Sequence, residues 1–206
     1  KLCAPTPTLP ITAAAIGSVG VGAHSLKNLT SGIGNTAVGY QALDANATSD
    51  YNTAVGDNAL GALTADGVSG NTAMGWNAGL LISSGKYNTL FGTVAGDGFD
   101  AEEFNTFIGY SAGSGAINGA DKCVALGAET LEGAATQDGT IAIGYQSLKA
   151  ITSADGSTAV GYRAGSALTS GDGDNTFIGF DAGRLLQTGA ENTVLGWGAF
   201  TTADGS

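Results

Sequence analysis

The sequence has few charged residues, and their signs are unevenly divided. Charged residues make up 12% of the 206 positions, with seven Lys and Arg against eighteen Asp and Glu, and the net charge is -11. Such a surface repels nucleic acid and anionic membranes, so we expect neither as a partner. No apolar run approaches the roughly 18 residues that span a bilayer, so we expect no membrane insertion by this segment.

Residues that build catalytic and metal sites are also scarce. His24 is the only histidine, and neither a zinc site nor a Ser-His-Asp arrangement can be built around it, so we expect a surface or capping role. Cys3 and Cys123 are too few for a disulfide scaffold and are wrongly spaced for a metal site. We expect Cys123 to replace a small polar residue in a ladder; a bridge to another subunit is the alternative.

Acidic residues are more numerous, but they fall in loops of varying length, as at Asp172 and Asp174 or at Glu102 and Glu103. Paired-carboxylate catalysis needs a repeated geometry, which these loops do not have. We therefore interpret them as solvated loop charge. Neither the EF-hand pattern nor the Gly-Gly-x-Gly-x-Asp motif is present, and calcium binding in the loops stays open.

The chain is rich in glycine, and its 35 glycines follow a repeat. The repeated core reads Asn-Thr-Ala-Val-Gly at 35–39 and returns in variants along the chain. We call the last residue of each copy the core glycine; these glycines lie at positions 22, 39, 56, 75, 92, 109, 127, 144, 161, 179 and 196. The spacing is 17 to 19 residues, and a constant period of this length is typical of solenoids.

Each repeat is too short for a βαβ unit, and its core alternates like a strand. The sequence therefore predicts an all-β fold, a parallel β-roll (β-solenoid) of about eleven coils with a 17–19-residue period. At about 4.8 Å per coil, the rod would be about 50 Å long. We assign residues 1–15 to an N-terminal linker or cap and residues 16–206 to the repeat domain, which we expect to continue beyond the C-terminal end.

Strand alternation places the residues three and one before the core glycine on one face, which we predict to be the interior. Small residues three after the glycine would line the opposite wall. The residue two before the glycine would then point outward and form an apolar stripe that needs cover. We predict a homo-oligomer packed along this stripe with symmetric closure. Its interface candidates are Leu90, Phe107, Phe177 and Val194.

Aromatic residues directly follow seven of the core glycines and would stack in a column along the rod. We expect them to brace the turn and cover the seam between subunits, with sugar binding as the alternative. The surface-binding candidates are Tyr40, Trp76, Tyr110, Tyr145, Tyr162 and Trp197.

Two polar columns are expected beside these. Asn four residues before the core glycine would form an internal amide ladder that satisfies backbone groups of the turn. The neighbouring Thr would form a second ladder. Regular Thr arrays on flat solenoids can bind ice, but the predicted facing puts this Thr inside and so disfavours that function.

The core sequences resemble those of a known family. Thr140-Ile141-Ala142-Ile143-Gly144 and Ser18-Val19-Gly20-Val21-Gly22 are similar to the head repeat of YadA-like trimeric autotransporter adhesins, a small polar residue followed by apolar-Ala-apolar-Gly. The form Asn-Thr-Ala-Val-Gly-Tyr-Gln-Ala-Leu also resembles repeats of phage tail fibres. The resemblance covers about residues 16–206. It implies a left-handed parallel β-roll in a homotrimer that attaches to host surfaces.

From these observations we expect an extracellular attachment segment, on a bacterial cell surface or in a virion tail fibre, with a cell-surface protein or glycan as receptor. A structural filament or sheath subunit without a receptor is the alternative, and an ice-binding solenoid is a less favoured one. A thin repetitive rod does not readily supply a convergent pocket of titratable groups, so we expect no enzyme activity, no catalytic residue, no metal and no cofactor.

Overall fold

The structure is a computed structural model that describes residues 16–115, 119–133, 138–153, 155–171 and 173–201. The predicted linker or cap at 1–15 lies outside the described residues, as do Cys3, Asp172 and positions 202–206.

Eleven strands in the described ranges form one parallel sheet, and within this sheet each strand pairs with the member that follows it in chain order. They are β1 (Val19–Val21), β2 (Thr36–Val38), β4 (Thr53–Val55), β6 (Thr72–Met74), β7 (Thr89–Phe91), β8 (Thr106–Ile108), β9 (Val124–Leu126), β10 (Ile141–Ile143), β11 (Thr158–Val160), β12 (Thr176–Ile178) and β13 (Thr193–Leu195). Two further strands, β3 (Ser49–Asp50) and β5 (Gly67–Val68), pair with each other. The predicted all-β parallel solenoid with a period near 17 residues is confirmed.

The coils stack in register, so each repeat position becomes a column along the rod. Thr36 pairs with Thr53 and Ala37 with Ala54, and the same correspondence holds at every step of the sheet. The core glycine makes this stacking possible. At Gly39 the φ angle is 140°, and a Cβ there would collide with the carbonyl of Gly56 in the next coil. Glycine is therefore required at this column for both its conformation and its size.

The two faces of the strands are the reverse of the predicted ones. In β2 and the later strands of the large sheet, the middle residue points into the coil, and the residues on either side of it point out. Leu90, Phe107 and Phe177 are at most 1% exposed, and Val194 is 9% exposed. These four side chains belong to the core of a single chain, so the prediction that they form an interface between chains is wrong.

Size matching between two inward positions explains this facing. The strand's middle residue and the residue four after the core glycine share the coil interior. Where the first is Ala, as at Ala142, the second can be a buried leucine, here Leu148. Where the first is Phe107, the second is Gly113, whose Cβ would overlap the Phe107 ring. The large side chain fills the space that glycine leaves, as close packing requires.

The small residues three after the core glycine are buried as predicted, except in the first and last coils, where Ser25 and Ala199 are half-buried. Seven alanines of this column have no exposed surface: Ala42, Ala59, Ala78, Ala95, Ala112, Ala164 and Ala182. A further inward position, seven after the glycine, holds large apolar side chains such as Leu63, Ile82 and Phe99. Phe99 packs edge-on against Phe107, with 4.8 Å between ring centroids. The core is a continuous apolar strip along the rod axis.

The predicted amide ladder is present inside the coils. Asn71 donates from Nδ2 to the carbonyl of Gly85 at 2.8 Å, and its Oδ1 accepts the backbone N–H of Asn88 at 2.9 Å. Asn52, one coil earlier, accepts the backbone N–H of Asn71 in the same way. Each buried Asn thereby joins its own coil to the next and satisfies backbone groups that water cannot reach.

Cys123 occupies this ladder position, as predicted. Its backbone N–H donates to Oδ1 of Asn105 at 2.8 Å, and its thiol lies 3.5 Å from the carbonyl of Asp121. The side chain has no exposed surface. Burial raises the pKa of the Cys123 thiol to about 11. A buried, protonated thiol is a poor partner for a bridge to another subunit.

Candidate functional site: the outward strand face

Two columns of side chains cover the exposed face of the large sheet, and we call them together the outward strand face. The first column is mostly threonine, three residues before each core glycine. The second is apolar, one residue before it: Val21, Val38, Val55, Met74, Phe91, Ile108, Leu126, Ile143, Val160, Ile178 and Leu195. The face arises because the middle residue of each of these strands turns inward, which leaves the apolar residue that follows it outside.

The apolar column is exposed in most coils of the single chain and half-buried at Val55, Ile143 and Val160. Phe91 is 52% exposed, Leu126 is 42% exposed and Leu195 is 73% exposed. The in-register pairing of the strands places these residues one above another from coil to coil. A contiguous apolar strip that runs the length of a rod is larger than the scattered exposed residues of ordinary monomers.

Threonine is the majority in the first column, and its position corrects the predicted interior placement. Thr72, Thr89 and Thr193 are exposed. The column is interrupted in the middle of the rod by Val124 and Ile141. The Thr ladder therefore faces solvent beside the apolar column. The predicted interior position of Thr, which disfavoured ice binding, is wrong.

The aromatic column, defined as the aromatic residues that directly follow a core glycine, borders the outward strand face. All six surface-binding candidates, Tyr40, Trp76, Tyr110, Tyr145, Tyr162 and Trp197, are exposed. The carbonyls of the first five accept a backbone N–H from the next coil, for example Tyr40 from Asn58 at 2.9 Å, which keeps the column in register. The structure thus brings the candidates together along one edge.

The aromatic column has two different parts. Tyr145, Tyr162 and Phe180 follow one another in consecutive coils and stack nearly parallel, with centroid separations of 5.3 and 4.8 Å. Before Tyr145 the rings occupy alternate coils, and the coils between them carry Asp57, Thr93 and Ala128 at this position. The predicted continuous stack therefore exists only in the later coils.

A second aromatic group lies at the other border of the face, directly before the interior Asn. Tyr87 and Phe104 stack there with 5.0 Å between their centroids, and both are exposed. Tyr51 takes the same repeat position and lies over Gly34 of the preceding coil. Sequence reasoning did not single out these residues, although their constant place one residue before Asn was readable from the repeat.

The charged side chains that the structure pairs lie beyond the aromatic column. Lys149 contacts Glu129 at 2.6 Å and Glu132 at 2.9 Å. Hydrogen bonds from Gln146 and Lys149 hold the pKa of Glu129 below its usual value, and the same carboxylates raise the pKa of Lys149. These partly exposed ion pairs join successive coils, and pairs of this kind add little stability.

Glu102 departs from the predicted solvated loop charge. It is only 4% exposed, and its carboxylate accepts the backbone N–H groups of Asp100, Ala101 and Gly119 at 2.8 to 3.0 Å. A buried carboxylate satisfied by three donors fixes the local turn. No group of three or more His, Cys, Asp or Glu side chains placed to hold a metal ion is found within the described ranges.

His24 lies beside the aromatic column in the first coil. It is partly buried, has a φ angle of 63° and packs edge-on against the Tyr40 ring with 5.7 Å between centroids. Its contact is with a ring of the next coil.

Comparisons with protein-family models, curated proteins and solved structures found no match to this chain. In the parts of the chain that the structure describes, no helix has the length and hydropathy needed to cross a membrane.

Proposed function

We propose that this chain is a rigid segment of an extracellular attachment fibre whose copies pack together along the outward strand face. The observation that carries the proposal is the exposed apolar column, which repeats in every coil and is bordered by the aromatic column on one side and by Tyr51, Tyr87 and Phe104 on the other. The proposed role is mechanical and adhesive, without catalysis. The resemblance to trimeric adhesin heads and tail-fibre repeats supports a homotrimer on a bacterial surface or a virion.

The physical case for self-association rests on the size and continuity of this face. Water would have to contact residues such as Phe91, Ile108 and Leu126 in a single chain. Burying a fully exposed large apolar side chain contributes about 1.5 to 3 kcal/mol, and about half of that is available at each residue of this column, because its side chains are already partly covered. A second copy carries the same column with the same spacing, so it offers a matching surface, and symmetric closure would bury all copies of the face.

Attachment would follow from stiffness and repetition. A rod whose coils are joined by in-register hydrogen bonds holds its loops at fixed positions, and several chains side by side present each loop more than once. Repeated weak contacts then act as one strong contact, because every binding event after the first is intramolecular. The expected partner is a protein or glycan on a cell surface.

The test of this proposal uses charge on the outward strand face. Phe91→Asp combined with Ile108→Asp places two carboxylates in the apolar column without entering the core. We expect the wild-type protein to be oligomeric by light scattering and the double variant to be monomeric with an unchanged circular dichroism spectrum. A matched control, Lys27→Asp, adds acidic charge on an exposed residue away from the strands and should stay oligomeric.

Binding to intact cells then separates attachment from a purely structural filament. Labelled wild-type protein should bind to some members of a panel of bacterial and animal cells, and the monomeric variant should bind at least about 100-fold more weakly, because avidity is lost. A chain that assembles but binds no cell in the panel would favour the filament or sheath alternative.

We propose ice binding as a second candidate, supported by the outward Thr column. Thr36, Thr53, Thr72, Thr89 and Thr106 face solvent in five consecutive, in-register coils. The column beside them is less regular, because its side chains range from Val38 to Met74 and Phe91. Thermal hysteresis of the protein, compared with a Thr72→Tyr and Thr89→Tyr variant, tests this candidate. No hysteresis in the wild-type protein would eliminate it.

A further inference from the structure

We propose that the slot between Tyr40 and Trp76 binds a neutral pyranose sugar. The slot lies in the earlier part of the aromatic column, where the coil between the two rings carries Asp57 instead of an aromatic residue. The inference rests on the proposed attachment function, of which it names a ligand class and a site. It also separates Tyr40 and Trp76 from the later rings Tyr145 and Tyr162.

The spacing of the coils gives the thickness of the slot. Tyr40 and Trp76 are two coils apart, and two coils are about 9.6 Å. The register at this column is held by two backbone hydrogen bonds of 2.9 Å, from Asn58 to the Tyr40 carbonyl and from Asn77 to the Asp57 carbonyl. Within the same column, a ring in the next coil stacks at 4.8 to 5.3 Å. The slot therefore has room for one flat ring between Tyr40 and Trp76.

The exposure of the rings agrees with an open slot. Trp76 is 53% exposed, whereas Tyr162, which is stacked on both faces, is 38% exposed. The ring contacts found within the described residues leave Trp76 without an aromatic neighbour, and Tyr40 contacts only His24. An aromatic face with no neighbouring ring can take the C–H face of a sugar, which is the apolar side of a pyranose.

Polar groups for sugar hydroxyls line the same slot. Asp57 is exposed and occupies the column position between the two rings, one coil from each, so it forms the floor of the slot. No ion pair or hydrogen bond of its side chain is found within the described residues. Asn58 and Asn77 lie beside it, linked by a hydrogen bond from Nδ2 of Asn58 to Oδ1 of Asn77 at 3.3 Å. This bond orients the two amides and leaves Oδ1 of Asn58 and Nδ2 of Asn77 for a ligand. A carboxylate, an amide oxygen and an amide N–H together suit a polyol.

The charge of the chain favours a neutral sugar over an acidic one. The net charge is -11, and the floor of the slot is itself a carboxylate. An acidic saccharide would meet repulsion from both, while a neutral pyranose would gain charge-assisted hydrogen bonds from its hydroxyls to Asp57. The equivalent slot between Tyr110 and Tyr145 has Ala128 as its floor and lacks this polar group.

Tryptophan fluorescence provides a direct assay. Trp76 and Trp197 are the only tryptophans in the chain, so a Trp197→Phe variant reports from Trp76 alone. The assembled variant would be titrated with methyl glycosides of glucose, galactose, mannose and N-acetylglucosamine. We expect a saturable change with at least one of them. Asp57→Ala should weaken that binding about tenfold or more, because a hydrogen bond to a charged group is lost.

The matched control is Tyr162→Ala, which removes a ring whose faces are already stacked and should leave the affinity unchanged. A loss of affinity in Tyr162→Ala equal to that in Asp57→Ala would overturn the assignment to this slot. So would no saturable change with any of the four glycosides.

Two further outcomes also overturn the inference. In the first, the fluorescence changes with protein concentration in the absence of sugar, and acrylamide quenches Trp76 poorly in the assembled protein. This result would show that a second copy fills the slot. Sugar binding that persists in Asp57→Ala and in Tyr40→Ala would place the site elsewhere. Light scattering on the same samples keeps the two proposals distinguishable, because an oligomer without sugar binding contradicts only this inference.

Discussion

The coils around residues 35–105 and those around residues 123–157 treat the same buried position differently. In the earlier coils the position is always Asn, and each amide bonds to its own coil and to the next one. In the later coils it is Cys123, Thr140 and Ser157. The Thr140 Oγ1 atom is buried without a hydrogen bond within the described residues, and Ser157 accepts the Asn175 N–H at 3.4 Å.

This comparison separates two sources of stability in the rod. Strand pairing and apolar packing are common to both regions, since Ala142 and Leu148 fill their coil as Ala54 and Leu60 fill theirs. The amide ladder belongs to only one of them. In a repeat protein each coil contacts only its neighbours, so the ladder-free coils are expected to be the least stable part of the rod.

The largest expected effect comes from the packing that both regions share. Gly113→Leu would drive a side chain into the Phe107 ring, and we expect a loss of about 3 kcal/mol or more in the free energy of unfolding. Phe107→Ala alone leaves a cavity and should cost a similar amount. The double variant recreates the pairing of Ala142 with Leu148 and should be more stable than either single one. Urea denaturation measures all three; additive losses would contradict the size-matching account.

The ladder itself is tested by a matched pair of substitutions. Asn71→Ala removes the bond to the Gly85 carbonyl and the acceptor for the Asn88 N–H, so we expect a loss of about 2 to 3 kcal/mol. Thr140→Ala removes a buried hydroxyl without a hydrogen-bond partner, so its effect should be within about 0.5 kcal/mol or stabilising. Equal losses in thermal unfolding would mean that the ladder does not distinguish the two regions.

The stability of the coils that carry Cys123, Thr140 and Ser157 should also depend on alkaline pH. Burial raises the pKa of Cys123 to about 11, above its value of 9.0 in an unfolded chain. The unfolded state therefore loses this proton first, and stability should fall between pH 9 and pH 11, by about 2 kcal/mol in total. In a Cys3→Ser background, Cys123→Ser should remove this fall. Identical pH profiles for the two proteins would refute the linkage.

The smallest expected effect comes from extending the ladder. The Thr140 backbone N–H faces the Cys123 sulfur, which is a weak acceptor. Cys123→Asn would supply an amide oxygen next to Asn105 and should stabilise the protein by about 1 kcal/mol. Hydrogen exchange of the Thr140 amide would show the gain locally. Faster exchange in the variant would indicate that this coil cannot accept an amide.

The sequence was sufficient for the architecture and for the polar interior. The spacing of the core glycines predicts the coils, and the recurrence of Asn35 and its equivalents predicts the ladder. Alternation establishes only that the residues on either side of the strand centre share a face, and it does not say which face. We assigned the more hydrophobic face to the interior, and this was wrong, because the outer column holds Val, Met, Phe and Ile while the inner one is mostly Ala.

The missing signal for strand facing was present in the sequence as a correlation. Phe107 and Phe177 occur in repeats with Gly113 and Gly183, whereas Ala142 occurs with Leu148. A large middle residue is paired with glycine four after the core glycine, and a small middle residue can be paired with leucine there. This indicates that the two side chains occupy the same space and that the middle residue points inward. The slot beside Trp76 needed the structure, because the sequence shows Asp57 between the two rings but does not show that rings of adjacent coils stack at 4.8 to 5.3 Å.

The central claim is that the outward strand face joins copies of this chain, and its most direct test is the mass of the protein in solution. Light scattering of the wild-type protein should give three times 20.1 kDa, unchanged by reducing agent because the apolar face, and not a disulfide, joins the copies. Phe91→Asp with Ile108→Asp should give 20.1 kDa. A stable wild-type monomer would contradict the claim and would leave the Thr column as the main functional feature of the face.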